Sequence, residues 1–161
     1  MKVREVMTPN PKAIWLTESL ADAAQLMWQN DCGVLPIIKD GQKVIGMITD
    51  RDICMGAAIN DRKPSSISVE EIMTGEVYAV QVDDDIDQAL QTMQEHRVRR
   101  LPVINSAGEL EGILSMNDIV LKTKSADGQA TEEINYGAVV KTYASISQHP
   151  LPEAQGANAT A

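Results

Sequence analysis

Hydrophobic positions between residues 13 and 55 change period in a fixed order. Ala13 to Leu16 is an apolar run of strand length. Leu20, Ala23, Ala24 and Met27 then recur at the spacing of one helical side, introduced by the cap-like Ser19-x-x-Asp22. Two short strand-like stretches follow, Val34 to Ile38 and Lys43 to Ile48, joined across Asp40-Gly41, and a second helix is predicted to open near Asp50. The same order returns further on. Ala79 to Val82 leads to Asp85-x-x-Gln88, then to a helical face of Ile86, Ala89, Leu90 and Met93. Leu101 to Ile104 and Leu110 to Leu114 flank Ala107-Gly108, and another helix is predicted near Met116. Each stretch reads β-α-β-β-α.

The two stretches are copies. Val3 to Met55 aligns on Val69 to Leu121 without a gap, and fourteen aligned positions are identical, including Met7/Met73, Thr8/Thr74, Leu35/Leu101, Pro36/Pro102, Gly46/Gly112 and Asp52/Asp118. A unit of this size buries too little apolar surface to stand alone, so the copies are expected to pack as one pseudo-twofold α+β module. The predicted organisation is a first repeat at 1–56, a polar linker at 57–68 containing Pro64, a second repeat at 69–122, a linker and C-terminal helix at 123–147, and a disordered tail at 148–161. The last helix carries Tyr136, Val139, Val140, Tyr143 and Ile146 on one side, which suits a packing or dimer helix.

Composition narrows the function. A net charge of -9 opposes phosphate backbones and anionic lipid, and five aromatic residues without a Phe leave little for base stacking along a nucleic acid. Cys32 and Cys54 lack metal-ligand spacing and read as small buried hydrophobes; Met27, Met47, Met93 and Met116 read as core filler, so no metal is assigned. The chain shows no apolar run of membrane-spanning length, and its charged first ten residues do not resemble a signal peptide, which predicts a cytoplasmic protein without membrane association. No nucleophile-base constellation repeats, so no enzyme activity is expected. One local exception to the acidity is His96, Arg97, Arg99 and Arg100, where the first repeat has Asn30, Asp31, Gly33 and Val34.

Both repeats carry an initial Met-Thr, a central Leu-Pro-Ile or Leu-Pro-Val, and a Gly-hydrophobic-hydrophobic-Thr/Ser-x-x-Asp motif, at Gly46 to Asp52 and Gly112 to Asp118. On the residues alone, each motif aspartate has two open roles: a helix N-terminal acid or an acceptor for vicinal ribose hydroxyls. Thr49 and Ser115 offer a hydroxyl and adjacent free backbone N–H groups to a phosphate. This signature resembles the CBS-domain pair, or Bateman module, over Val3 to Leu121. The resemblance implies two sheets with helices outside and a central cleft for an adenosyl ligand, AMP, ADP or ATP ahead of S-adenosylmethionine or NAD. It implies one site joining Met47, Thr49 and Asp52 to Val77, Tyr78 and Pro102, and a second joining Ile113, Ser115 and Asp118 to Pro11, Lys12 and Pro36. Arg99 and Arg100 are expected to serve phosphate, chiefly in the first site.

The function so implied is a regulatory module that senses the ligand and signals to an unknown effector protein, as a homodimer. The competing expectation is a dimeric interaction protein whose clefts are empty. Nucleic-acid partners are not expected.

Overall fold

A computed structural model describes residues 1–73, 76–122 and 134–148. Its strands are β1 (Thr8–Pro9), β2 (Ile14–Trp15), β3 (Val34–Lys39), β4 (Lys43–Thr49), β5 (Val80–Gln81), β6 (Arg100–Ile104) and β7 (Leu110–Ser115). Its α-helices are α1 (Leu20–Gln29), α2 (Asp50–Asn60), α3 (Val69–Ile72), α4 (Ile86–His96), α5 (Met116–Lys122) and α6 (Tyr136–Ser147). The order β2-α1-β3-β4-α2 recurs as β5-α4-β6-β7-α5, so the repeated β-α-β-β-α reading holds. In each repeat a short strand runs parallel to the central strand, β2 to β3 and β5 to β6, and the next strand returns antiparallel across a tight turn. Gly41 and Gly108 take positive φ at those turns, 66° and 80°, where a side chain would be strained. The hairpin tips meet: the Val44 amide donates to the Gly108 carbonyl at 3.2 Å and the Leu110 amide to the Gln42 carbonyl at 3.1 Å.

Each repeat lends its opening segment to the other, a feature the pattern of apolar residues does not announce. Val3 and Val6 lie buried among Leu90, Leu101, Leu114 and Ile119 of the second repeat, and the Val3 and Arg4 amides donate to the carbonyls of Asp84 and Val82. β1 then joins the second repeat's sheet beside β7, with Thr8 opposite Ile113 and Pro9 opposite Gly112. Conversely, Ile67 and Val69 pack with Ile14, Leu20, Leu35 and Ile48, and the Val69 amide donates to Glu18. Gly46 and Gly112 lie where these arms cross. A Cβ at Gly112 would stand 2.5 Å from the Met7 sulfur, and one at Gly46 would stand 3.0 Å from the Met73 methyl. The Met of each opening Met-Thr therefore requires the Gly of the other repeat's motif.

The linker expectation is corrected at its start. Helix α2 runs to Asn60 and is closed by Asp61 in the left-handed region, φ 49°, because Pro64 lies too far on to interrupt the α2 ladder and instead opens a 3-10 turn at Pro64–Ser66. Of the C-terminal expectations, the polar link at 123–133 and the tail from 149 lie outside the described residues. Helix α6 packs on its own chain: Val139 and Ile146 join the second repeat's core, Thr142 Oγ1 donates to the Leu90 carbonyl at 3.4 Å, and Ser145 Oγ donates to the Gln94 carbonyl at 3.0 Å. Met27, Met93 and Met116 are core residues; Cys32 is half-buried against the first repeat's core, whereas Cys54 is exposed on α2, so the reading of the cysteines as buried hydrophobes fails for Cys54. No helix among the described residues is long and apolar enough to cross a membrane.

Candidate ligand-binding site

Strand β4 and helix α2 build one wall of a cleft of about 470 Å³. Met47 and Thr49, two apart on β4, share a face, and Asp52 stands in the first turn of the helix that follows. The facing wall belongs to the second repeat: Tyr78 precedes β5, and Arg97, Val98, Arg99 and Arg100 form the turn from α4 into β6. Of the expected first site, the structure thus brings together Met47, Thr49, Asp52, Tyr78, Arg99 and Arg100. Val77 and Pro102 do not line the cleft; Pro102 is buried in the central strand of its sheet, paired with Ile113. Asp50, Arg51, Glu76, Arg97 and Ile146 also line it and were not among the expected site residues.

Asp52 is both a cap and an open acceptor. Its Oδ2 accepts from the Thr49 amide at 2.9 Å and from Thr49 Oγ1 at 2.7 Å, while the Asp52 amide donates back to Thr49 Oγ1 at 3.2 Å. The reciprocal bonds form a capping box and leave Oδ1 available to a ligand. They also correct one expectation. Free amides for a phosphate are absent at this helix start, because Asp50 donates to the Gly33 carbonyl, Arg51 to the Asp50 carboxylate and Asp52 to Thr49. The Thr49 hydroxyl is likewise committed, so donors for a phosphate have to be side chains.

Four such side chains are present. Arg97 takes the left-handed conformation, φ 54°, that ends α4 and turns the chain toward Arg99 and Arg100. Among the described residues, Arg51, Arg97, Arg99 and Arg100 form no ion pair. Burial and then the neighbouring Arg99 charge lower the Arg100 pKa, opposed by Asp50 and Asp118. Arg100 stays charged, but its charge is poorly solvated and feels a carboxylate from each repeat. The other end of the cleft is aromatic. The Tyr78 ring stacks on His96 with centroids 3.6 Å apart, and Tyr78 Oη donates to the Glu76 carboxylate, which pushes the phenol pKa upward.

The second motif repeats the cap without repeating the cleft. Asp118 Oδ2 accepts from the Ser115 amide at 2.8 Å and from Ser115 Oγ at 2.6 Å. The adjoining cavity is about 170 Å³, lined by Arg99, Arg100, Ser115, Met116, Asn117 and Tyr143. Helix α6 narrows it: Tyr143 Oη donates to Asn117 Oδ1 at 3.3 Å. Of the expected second site only Ser115 lines this cavity, together with the shared arginines; Ile113, Asp118, Pro11, Lys12 and Pro36 do not, and Pro36 is buried in β3. Among the described residues no three His, Cys, Asp or Glu side chains gather as a metal site.

Comparison with known proteins agrees with this architecture. The CBS domain profile matches residues 3–57 and again 69–123. Hypoxic response protein 1 of Mycobacterium tuberculosis is 36% identical over 116 residues, 72% of this chain and 80% of that protein. Among solved structures, CBSX2 in complex with AMP is 26% identical with a TM-score of 0.64, covering 75% of this chain and 94% of that one. The CBS domain pair of protein MJ0100, in complex with 5′-methylthioadenosine and S-adenosyl-L-methionine, is 25% identical with a TM-score of 0.66, covering 76% and 94%.

Proposed function

Because the chain belongs to the CBS-domain family, with two copies in tandem, we propose that it is a regulatory module that binds an adenosyl compound in the cleft between Thr49 and Arg100. Adenine nucleotides, AMP, ADP or ATP, come first, with S-adenosylmethionine or NAD behind them. The observation that carries this reading is the convergence, in one cavity of about 470 Å³, of an open aspartate oxygen, an aromatic ring and four arginines outside any described ion pair. Asp52 Oδ1 accepts the vicinal ribose hydroxyls. Met47, Val34 and Tyr78 supply apolar walls for the base, and Arg97, Arg99 and Arg100 hold the phosphates in place of the committed amides. AMP in CBSX2 and adenosyl compounds in the MJ0100 pair support the ligand class.

We read the cleft as one that binds: its polar groups are the capped Asp52, the Asp50 and Glu76 carboxylates, the Thr49 and Tyr78 hydroxyls already bonded to Asp52 and Glu76, and four arginines. The protein acts as a homodimer that passes occupancy to an effector chain. Arg99 and Arg100 wall both cavities, so a phosphate drawn to them in the larger cavity alters the field in the smaller. The reading is tested by mass spectrometry of small molecules released from the purified, denatured protein, followed by thermal shift. An adenosyl compound bound at a hundred times its Kd adds about 2.7 kcal/mol to stability. If AMP, ADP, ATP, S-adenosylmethionine and NAD at millimolar concentration all leave the Tm unchanged, the chain is an interaction protein with empty clefts.

A further inference from the structure

Helix α6 lies beyond both matches to the family profile, the second of which ends at residue 123, yet it reaches both cavities. Ile146 lines the larger cleft, and Tyr143, one helical turn earlier, lines the smaller cavity. Among the described residues, only Arg99, Arg100 and this helix contribute to both. The helix is held more lightly than the one it lies on. Val139 and Thr142 are its only buried residues, against Ile86, Ala89, Leu90 and Met93 of α4. Its hydrogen bonds to α4 and α5 come from three side chains, Thr142, Tyr143 and Ser145, at 3.4, 3.3 and 3.0 Å. An element with so few buried contacts opens locally at a free energy below that of global unfolding. Ile146 is half-buried: it packs on the second repeat's core and also faces the cleft. A ligand that covers this side chain gains that contact only while α6 is docked, so ligand binding and helix docking favour one another by the same factor.

We propose that α6 is a latch closed by ligand: an adenosyl compound in the larger cleft packs against Ile146 and fastens the helix to α4, and release of the compound lets the helix open. The proposal rests on the ligand reading above and assigns the element that reports occupancy. Tyr143 extends the report to the second motif. When α6 opens, the bond from Tyr143 Oη to Asn117 breaks, and Arg99, Arg100 and Ser115 lose the phenol that completes the wall of their cavity. Occupancy of one site thus changes the surface presented at the other, through a helix that neither repeat supplies.

Amide hydrogen exchange on the full-length protein reads the latch, with whichever of AMP, ATP and S-adenosylmethionine raises the Tm most as the probe. At saturation the probe is expected to slow local exchange in α6 more than in α1, which borders neither cavity; amides that exchange by local opening do not respond to global stabilisation alone. Ile146→Ala is expected to weaken the probe about three- to tenfold in calorimetry, the worth of part of a buried aliphatic side chain, and to remove the slowing in α6. Ile146→Val is expected to keep most of both effects, and Val140→Ala, at a position of the same helix that is 66% exposed, to change neither. The wild-type comparison decides the matter even where a variant does not fold. If none of the three compounds raises the Tm, the ligand reading falls and the latch with it. A probe that binds while α6 is slowed no more than α1, that binds Ile146→Ala as tightly as wild type, or that still slows α6 in Ile146→Ala keeps the ligand reading and overturns the latch.

Discussion

Asp52 carries a structural and a ligand role on different oxygens, and the molecule contains its own control for separating them. The capping box Ser19/Asp22 at the start of α1 has the geometry of Thr49/Asp52: the backbone amide to Oδ2 at 3.0 against 2.9 Å, hydroxyl to Oδ2 at 2.6 against 2.7 Å, and the return bond at 3.2 Å in both. Asp22 lines none of the cavities described above. Replacing either aspartate by Ala removes the same cap, at a cost of about 0.5 to 2 kcal/mol, so urea unfolding is expected to report similar losses from Asp22→Ala and Asp52→Ala. Calorimetry with AMP is expected to divide them. Loss of hydrogen bonds to a charged acceptor costs about 1 to 3 kcal/mol, a five- to 150-fold rise in Kd, and it falls on Asp52→Ala alone. Asp52→Asn keeps an acceptor for Thr49 and so most of the cap, but sets an amide donor or a weaker oxygen before the ribose; its AMP affinity is expected to fall while its unfolding midpoint stays near wild type. If AMP binds the wild type, yet Asp52→Asn binds it equally well and Asp52→Ala is no weaker than Asp22→Ala, then Asp52 is a cap only and the ribose assignment is refuted.

Arg100→Ala is expected to weaken ATP by about ten- to a hundredfold, the worth of a charge-assisted hydrogen bond, and adenosine far less; equal losses in calorimetry would remove the arginine from the phosphate site. Gly112→Ala is expected to cost about 1 to 3 kcal/mol in urea unfolding, because the new methyl meets the Met7 sulfur and, at 3.1 Å, a Thr8 carbonyl held by β1 pairing, whereas Gly46→Ala meets only side-chain ends and costs less; the reverse order would contradict the crossed-arm packing. Acid unfolding is expected to set in below about pH 4, the ordinary carboxylate range. Bonds from Ser19, Ser68 and Lys2 lower the pKa values of Asp22, Glu71 and Asp85, so the unfolded chain takes up protons first, and the stability these groups give above that range is lost as the pH falls through their folded values. A Tm that does not change between pH 6 and pH 3 would show that these caps contribute nothing.

The order α1-β3-β4-α2 and its repeat could be read because those elements span several periods of their own patterns, and β2 and β5, though only two residues each, sit in longer apolar runs at Ala13 to Leu16 and Ala79 to Val82. β1 could not, since Thr8–Pro9 is too short to alternate and its partner, β7, lies in the other repeat. The doubled motif located Thr49 and Asp52, and the basic run located Arg99 and Arg100, because residue type and repetition are visible in one dimension. What escaped was how a group is already employed. Threonine and aspartate three residues apart suit a phosphate site and a capping box equally well, and only the geometry shows the amides of Asp50 to Asp52 taken. Pro36 and Pro102 were placed at the ligand by their motif, yet burial in a central strand turns them away from the cavities. Ile146 reached the first cleft, and Tyr143 the second, because α6 docks on α4, a long-range choice that its own apolar stripe leaves open between a neighbouring helix and a second chain.

The exchange of opening segments gives the molecule a schedule as well as a shape. During synthesis, residues 3 to 9 emerge well before Val82, Asp84 and β7, with which they pair, so this arm is secured late and the rate of closure is governed by contacts between distant parts of the chain. The same wiring makes either half incomplete by itself. A fragment ending before the linker has a core lacking Ile67 and Val69 and carries an arm built for its twin; a fragment beginning at the linker has the converse defect. Supplied together, the halves complement each other by trading arms, and a lone half has only another copy of itself to trade with. The tandem repeat is therefore not two domains on a string: each half completes the other's core, and the segment that joins them turns that association into folding.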